Sequence, residues 1–238
     1  MKKSILLLTF AAMAALGATA QTNLQMMYDF GDGRQYVTTT FEMFKGDKWG
    51  DTFFFIDHYY ATSDQRDLGV GSAINGSYFE IERGLNFWQE SDLKDLSIHL
   101  EYDGATWGAG IASIGAKYFF HNDDFSNTYS VYAMWDKHIG GPQADCPIKF
   151  SGVWGMQDIF GISGCRFNGF IDFWGNDCGY MSGNTTHWSL LTEPQLWFNM
   201  SSIGIENLNI GGEVELSYNF AGNEGFMCNP CLGIKWAF

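Results

Sequence analysis

Residue types that commonly carry out catalysis are present, but they are scattered along the chain. The five histidines are His58, His99, His121, His138 and His187. No serine lies in the Gly-x-Ser-x-Gly turn that exposes a nucleophile in many hydrolases. Ser189 follows His187 by two positions, so both would share one face of a strand, but the pattern provides no carboxylate to orient the histidine. We therefore expect no enzymatic activity.

Cysteine pairs and metal ligands are the next candidates. The cysteines are Cys146, Cys165, Cys178, Cys228 and Cys231, an odd number, and the sequence leaves their pairing open. The Cys228–Cys231 pair has redox spacing but lies in a Gly/Asn/Pro stretch, which favours a loop staple or unpaired thiols. His99-Leu100-Glu101 with this pair would fit a zinc-deaminase pattern only if Met227 were Pro and a third ligand were suitably spaced. We expect no metal site and no cofactor.

The composition indicates a β protein with many turns. Of 238 residues, 46% are hydrophobic and 17% aromatic, with 29 Gly against 4 Pro. This aromatic content excludes a disordered chain. After residue 20, no apolar run reaches the ~18 residues that a spanning helix needs, which excludes a helical membrane protein. The net charge of −14 excludes nucleic acid as a partner.

The first twenty residues predict a secretory signal peptide. Lys2 and Lys3 precede the apolar run 5–17, and Ala18-Thr19-Ala20 has the small residues of a cleavage site. We expect cleavage after Ala20 and a single domain over 21–238. Position 21 is Gln rather than Cys, so a lipoprotein anchor is not indicated.

Alternating apolar and polar residues predict about twelve strands. The candidate segments are 24–30, 35–44, 51–60, 73–83, 96–103, 111–120, 127–135, 147–157, 162–174, 188–199, 208–220 and 231–238. A soluble sandwich would also alternate, but the chain ends with large apolar residues at positions 232, 234, 236 and 238. An aromatic strand closing on Phe238 is typical of outer-membrane barrels. We therefore expect an all-β fold, a transmembrane antiparallel up-and-down β-barrel of about 12 strands in the outer membrane.

The residues that such strands would turn inward are acidic and aromatic. The predicted inward carboxylates are Glu42, Asp57, Glu80, Glu82, Glu101, Asp103, Asp172, Glu193, Glu213 and Glu215, with Lys149, Arg166 and Lys235 as candidate partners. The aromatic residues in the same phase are Phe44, Phe53, Phe55, Tyr59, Tyr78 and Phe170. A barrel of this size should enclose a slot that is wider than a filled core and narrower than an open aqueous pore. Its acidic lining predicts cation selectivity, and pairing of inward charges to brace the wall is an equally good interpretation of any single residue.

Three stretches resemble the nucleoside-specific outer-membrane channel (Tsx-like) family. The stretch 39–57 is similar to its early hairpin, and Tyr78-Phe79-Glu80-Ile81-Glu82-Arg83 resembles its Glu-Ile-Glu strand but lacks a Pro before the Arg. The stretch 169–177 resembles a later aromatic-Asp-aromatic strand. The chain is also similar to an uncharacterised barrel family related to the Tsx-like proteins.

This resemblance implies passive diffusion of small neutral solutes, above all nucleosides, through a narrow lumen lined by aromatic residues and carboxylates. The residues implied to bind solute are Glu42, Phe53, Phe55, Asp57, Tyr78, Glu80, Glu82, Phe170 and Asp172. The implied protein is a monomer in contact with outer-membrane lipid, and Phe238 would be presented to the barrel assembly machinery. The alternative is a non-conducting barrel that binds a ligand or a partner through its outer loops.

Overall fold

The computed structural model describes residues 20–62, 73–108, 110–180 and 182–238. The predicted signal peptide lies, except for Ala20, outside these residues. Within the described part of the chain, no helix is long and apolar enough to cross a membrane.

Thirteen strand segments make up one antiparallel sheet. They are β1 (Gln21–Asp29), β2 (Val37–Asp47), β3 (Gly50–Tyr60), β4 (Ile74–Leu85), β5 (Leu96–Ala105), β6 (Gly110–His121), β7 (Asn127–Ile139), β8 (Ile148–Gln157), β9 (Cys165–Gly179), β10 (Thr185–Thr192), β11 (Gln195–Asn199), β12 (Leu208–Tyr218) and β13 (Phe226–Ala237). Among the described residues, two short 3₁₀ turns, Ile159–Gly161 and Met200–Ile203, lie between strands. Most predicted segments match an observed strand within a few residues.

The sheet closes on itself, because β13 pairs with β12 on one side and with β1 on the other. Segments β10 and β11 both lie between β9 and β12, so they form two parts of one strand. The wall is therefore a closed twelve-stranded antiparallel barrel, as the sequence predicts. Closure leaves no unpaired sheet edge.

The break between β10 and β11 falls at Glu193 and Pro194. Proline has no N–H to donate to the ladder, although its carbonyl oxygen still accepts from the Val214 N–H at 3.1 Å. Gly169 on β9 faces this break with a φ of 157°, and a Cβ there would overlap the carbonyl oxygen of Glu193. The single segment predicted over 188–199 is thus interrupted where proline removes a donor.

The outer surface of the wall is apolar. Alternate residues of β13 point outward, and Leu232, Ile234, Trp236 and Phe238 are all exposed. The other strands continue this band with exposed Leu, Ile, Val, Phe, Tyr and Trp side chains. Such a continuous belt would be an aggregation surface in water, whereas lipid covers it in membrane barrels.

The inner surface is largely polar. Buried inward side chains include Gln25, His99, Asp136, Ser189 and Asn229. The one cluster of buried apolar residues that the structure describes is small and consists of Met27, Trp197 and Cys231. This arrangement is the reverse of a soluble β-sandwich, in which apolar residues face inward.

Candidate solute path in the barrel lumen

All nine predicted solute-binding residues face the lumen. Glu42 lies on β2; Phe53, Phe55 and Asp57 on β3; Tyr78, Glu80 and Glu82 on β4; and Phe170 and Asp172 on β9. Their side chains are half-buried, which indicates that they border an accessible space rather than a packed core. Counted around the wall, β3 and β9 are opposite each other. We call the space between β3–β4 and β9–β11 the slot.

Aromatic rings lie along one wall of the slot. The ring centroids of Phe53 and Phe55 are 6.0 Å apart, and Phe55 lies 5.7 Å from Tyr78. Further along β3, Tyr59 contacts Trp107, which lies beyond the end of β5, at 5.6 Å. This series of rings offers successive flat surfaces on which a planar solute can stack.

Carboxylates lie beside these rings. Glu82 is paired in register with Phe53, and Glu80 is paired with Phe55. The Tyr78 hydroxyl donates to Glu80 Oε2 at 3.2 Å. The Asp57 carboxylate accepts from the Thr40 hydroxyl at 2.5 Å. Each aromatic surface therefore has an acceptor beside it for hydroxyl or amino groups of a solute.

The opposite wall adds a second acidic and apolar lining. Phe170 and Asp172 on β9 are followed around the wall by Leu191 and Glu193, which are also half-buried. Asp57 lies on β3 and Glu193 lies at the break between β10 and β11, so carboxylates are present on both sides of the slot. Both walls of the slot are therefore acidic.

Beside the slot, two lysines cross the lumen. Lys149 on β8 reaches β5, where its Nζ lies 2.5 Å from Glu101 Oε1 and 4.0 Å from Asp103, and it also lies 3.7 Å from Asp172. Lys117 on β6 reaches Asp51 on β3 at 2.8 Å. We call the inward residues of β5–β7 together with Lys149 the lysine-bridged sector. Its side chains are mostly buried, so it is a packed wall.

On the other side of the slot, β12, β13 and β1 form a second packed region built from amides and carboxylates. The Asn229 amide donates to Glu215 Oε1 at 2.8 Å, and the Gln25 amide donates to Glu42 Oε2 at 3.2 Å. Arg34, in the loop after β1, binds the other Glu215 oxygen at 2.7 Å. Burial alone would lower the pKa of Arg34, but the hydrogen bond and charge of Glu215 raise it well above its usual value. The guanidinium therefore remains charged where it covers this region.

The cysteine prediction is wrong in one respect. Cys228 and Cys231 lie within β13 rather than in a loop, and three positions along a strand place them on opposite faces. Cys228 is exposed, Cys231 is buried in the lumen, and both are free thiols. A loop staple between them is therefore excluded. Cys146 and Cys165 are also free.

The weak hydrolase candidate does not assemble. Ser189 is fully buried and donates its hydroxyl to the Asn219 carbonyl oxygen at 2.5 Å. His187 is exposed and binds Asp177 at 2.8 Å. The serine and the histidine therefore bind different partners and do not form a nucleophile–base pair.

Comparison with known proteins identifies the family but not a function. The model of the family described as a domain of unknown function, DUF5020, matches residues 20–238. This chain belongs to the DUF5020 family. No curated protein sequence matches it.

Solved structures show what the DUF5020 barrel is similar to in fold. A NanC porin structure covers 90% of this chain and 98% of its own, with a TM-score of 0.57 and 10% identity. The match to OccAB2 of Acinetobacter baumannii covers 93% of this chain and 98% of that protein, with a TM-score of 0.44 and 8% identity. The match to OccK3 (OpdO) of Pseudomonas aeruginosa covers 93% of this chain and 95% of that protein, with a TM-score of 0.43 and 10% identity. The likeness to the NanC porin shows a porin-like barrel fold.

The DUF5020 barrel also contains inward residues that sequence reasoning did not select as functional. Lys117 and Asp51 form an ion pair across the lumen, and His99 contacts two glutamates. The strand phase alone marks Lys117 and His99 as inward. The partner of Lys117 could not be found in this way, because closure of the barrel determines which strands face each other, and the contact of His99 with Glu82 depends on the register between β4 and β5.

Proposed function

We propose that this DUF5020 barrel is an outer-membrane channel through which small neutral solutes, above all nucleosides, diffuse passively. The observation that carries the proposal is the slot, in which half-buried aromatic rings alternate with carboxylates along one wall. Such a lining suits a solute with one flat apolar surface and several hydrogen-bond donors. A nucleoside has both, because its base stacks and its sugar hydroxyls and base amino groups donate.

The resemblance of three stretches to the Tsx-like family supports the same solute class. The slot residues then act as weak successive sites, since conduction requires binding that is favourable enough to enter and weak enough to leave. Exchange between adjacent rings, such as Phe53 and Phe55, would move the base along the wall. No bond is made or broken in this process.

The outer surface supports the proposed location in the outer membrane. The exposed apolar belt matches contact with lipid tails, and one chain closes the barrel, as a monomeric channel requires. Phe238 is 70% exposed at the end of the wall, and its N–H donates to the Thr22 carbonyl oxygen at 3.0 Å. We propose that this accessible aromatic end is presented to the barrel assembly machinery.

The test is the single-channel current of refolded protein in a planar bilayer, with nucleosides, amino acids and sugars added in turn to one side. We expect conductance that nucleosides block in a dose-dependent way. Conductance without nucleoside block would support the channel proposal and contradict nucleosides as its solute. A folded barrel without conductance would contradict the channel and favour the alternative, a non-conducting barrel that binds a ligand or partner at its outer loops.

A further inference from the structure

A histidine and two glutamates converge at the boundary between the slot and the lysine-bridged sector. His99 and Glu101 lie two positions apart on β5, and Glu82 is the register partner of Glu101 on the neighbouring strand β4. His99 Nε2 lies 3.3 Å from Glu101 Oε2 and 3.4 Å from Glu82 Oε2. The three donor atoms all lie within 4.8 Å of one another.

Hydrogen bonding accounts poorly for this geometry. Both contacts of His99 Nε2 are longer than the ~2.7–2.9 Å of a charge-assisted N–H···O bond, so an N–H shared between the two carboxylates would make only weak hydrogen bonds. The His99 side chain is fully buried, and its other ring nitrogen, Nδ1, has no hydrogen-bond partner. The imidazole is thus aimed between the two carboxylates without a strong hydrogen bond to either.

The same geometry suits a metal ion. A triangle with sides of 3.3 and 3.4 Å and a third side below 4.8 Å has its centre about 2 Å from each corner, close to the ~2.0–2.2 Å of Zn–N and Zn–O bonds. We propose that His99, Glu82 and Glu101 bind a divalent transition-metal cation such as Zn²⁺ inside the barrel. One imidazole with two carboxylates is a donor set that zinc accepts, and three protein ligands leave a fourth position for water or solute.

The surrounding charges are compatible with a cation at this point. Lys149 binds Oε1 of Glu101, which leaves Oε2 free to face His99. Lys117 is engaged by Asp51 at 2.8 Å. Glu82 and Glu101 supply two negative charges beside the ion, and Asp103 and Asp172 share the charge of Lys149 with Glu101. Glu82 is partly exposed, on the side of the site that borders the slot.

A second group of acidic residues nearby is less suited to a metal ion. Glu80, Glu101 and Asp103 also cluster, but the ammonium of Lys149 lies among them, 2.5 Å from Glu101 and 4.0 Å from Asp103. That cluster already contains a cation of the chain itself.

A third group, Asp145, Asp177 and His187, also contains an imidazole, but His187 is exposed and makes an ordinary 2.8 Å contact with Asp177. Among the described groups, the triangle with His99 is the one that combines a buried imidazole with convergent carboxylates and no ammonium between them.

The site explains why sequence reasoning found no metal ligands. Spacing along the chain provides no third ligand for His99-Leu100-Glu101, and position 227 is Met where a zinc deaminase would have Pro. The third ligand precedes the pair on the adjacent strand, and the β4–β5 register brings Glu82 beside Glu101.

The test is titration of full-length protein, refolded in detergent, with ZnCl₂ in a calorimeter and with CoCl₂ in a visible-absorption spectrometer. We expect one site per chain, with cobalt bands of low-coordinate geometry. The His99→Ala variant should bind at least about tenfold more weakly. His121→Ala, a histidine beside the turn after β6, is the matched control and should bind like the wild type.

The Glu82→Gln variant provides a second measurement in case His99→Ala fails to refold, because it keeps the size of the side chain and removes the anionic ligand. Absence of Zn²⁺ binding by folded wild-type protein would overturn the proposal. So would binding of equal affinity in the wild type and in the folded ligand variants. Because metal binding is measured in detergent without a current, its result is independent of the channel proposal.

Discussion

The inward side chains of β3 and β5 differ in how much of them solvent can reach. On β3, the side chains from Phe53 to Tyr59 that face the lumen are all half-buried. On β5, those from Ser97 to Asp103 are all buried. On both strands, alternate side chains point into the lumen. The difference in burial therefore arises from what lies opposite each strand: β3 faces across the slot, whereas Lys149 from β8 contacts β5.

This contrast indicates a division of labour in the lumen. The lysine-bridged sector connects strands that are not neighbours by ion pairs, and in the proposed channel the slot keeps aromatic and acidic groups available to a solute. A residue of the first region should therefore affect stability most, and a residue of the second should affect solute binding most.

The largest expected effect is on stability, from Lys149→Met. The substitution removes the cation that Glu101, Asp103 and Asp172 share, and unpaired buried carboxylates should cost about 3–5 kcal/mol of unfolding free energy. Denaturant unfolding in detergent measures it. Lys94→Met, in the exposed loop between β4 and β5, is the control and should leave the midpoint unchanged. Equal midpoints for both variants would contradict the bracing role.

A smaller effect is expected from Phe55→Ala in the slot. Loss of one stacking surface should weaken nucleoside block of the current about tenfold, in line with ~1–3 kcal/mol per stacked base. Phe54→Ala is the matched control, because the next residue along β3 points to the outer surface and should leave block unchanged. If Phe54→Ala weakened block as much as Phe55→Ala, the slot would not be the solute path.

The smallest effect is expected from Asp57→Asn. Removal of one carboxylate among several should lower the cation-to-anion permeability ratio by about twofold, because water and salt in the slot screen each charge. The reversal potential in a salt gradient measures this ratio. Asp124→Asn, in the turn after β6, should leave it unchanged. A shift toward greater cation preference in Asp57→Asn would refute the assignment of this charge to the path.

The sequence alone predicts which of these side chains face the lumen, but it does not predict which of them contact each other across it. The period of two residues identifies Glu80 and Asp172 as inward, because a strand turns alternate side chains to the same face. It cannot show that Lys149 meets Glu101, 48 positions away, or that Lys117 meets Asp51, 66 positions away. Those contacts depend on how the strands are staggered when the barrel closes.

Two local errors have identifiable signals. Pro194 is a sequence signal for the interruption, because proline cannot donate a hydrogen bond to a ladder. The hydrophobic pattern over 188–199 does not show this interruption. The Cys228–Cys231 stretch was interpreted as a loop because Asn229 and Pro230 favour turns. In the structure Pro230 points outward in β13, and Asn229 is held in the lumen by Glu215.

The aromatic wall of the slot comes from one hairpin, β3 and β4, whereas most residues that brace the lumen come from other strands. Apart from Asp51, which binds Lys117, and Glu82, which contacts His99, the hairpin contributes little to the ion pairs of the lysine-bridged sector. In the proposed channel, mutations in this hairpin would therefore alter which solutes are accepted while the scaffold persists. A change of solute preference would then require substitutions within only one contiguous segment of the chain.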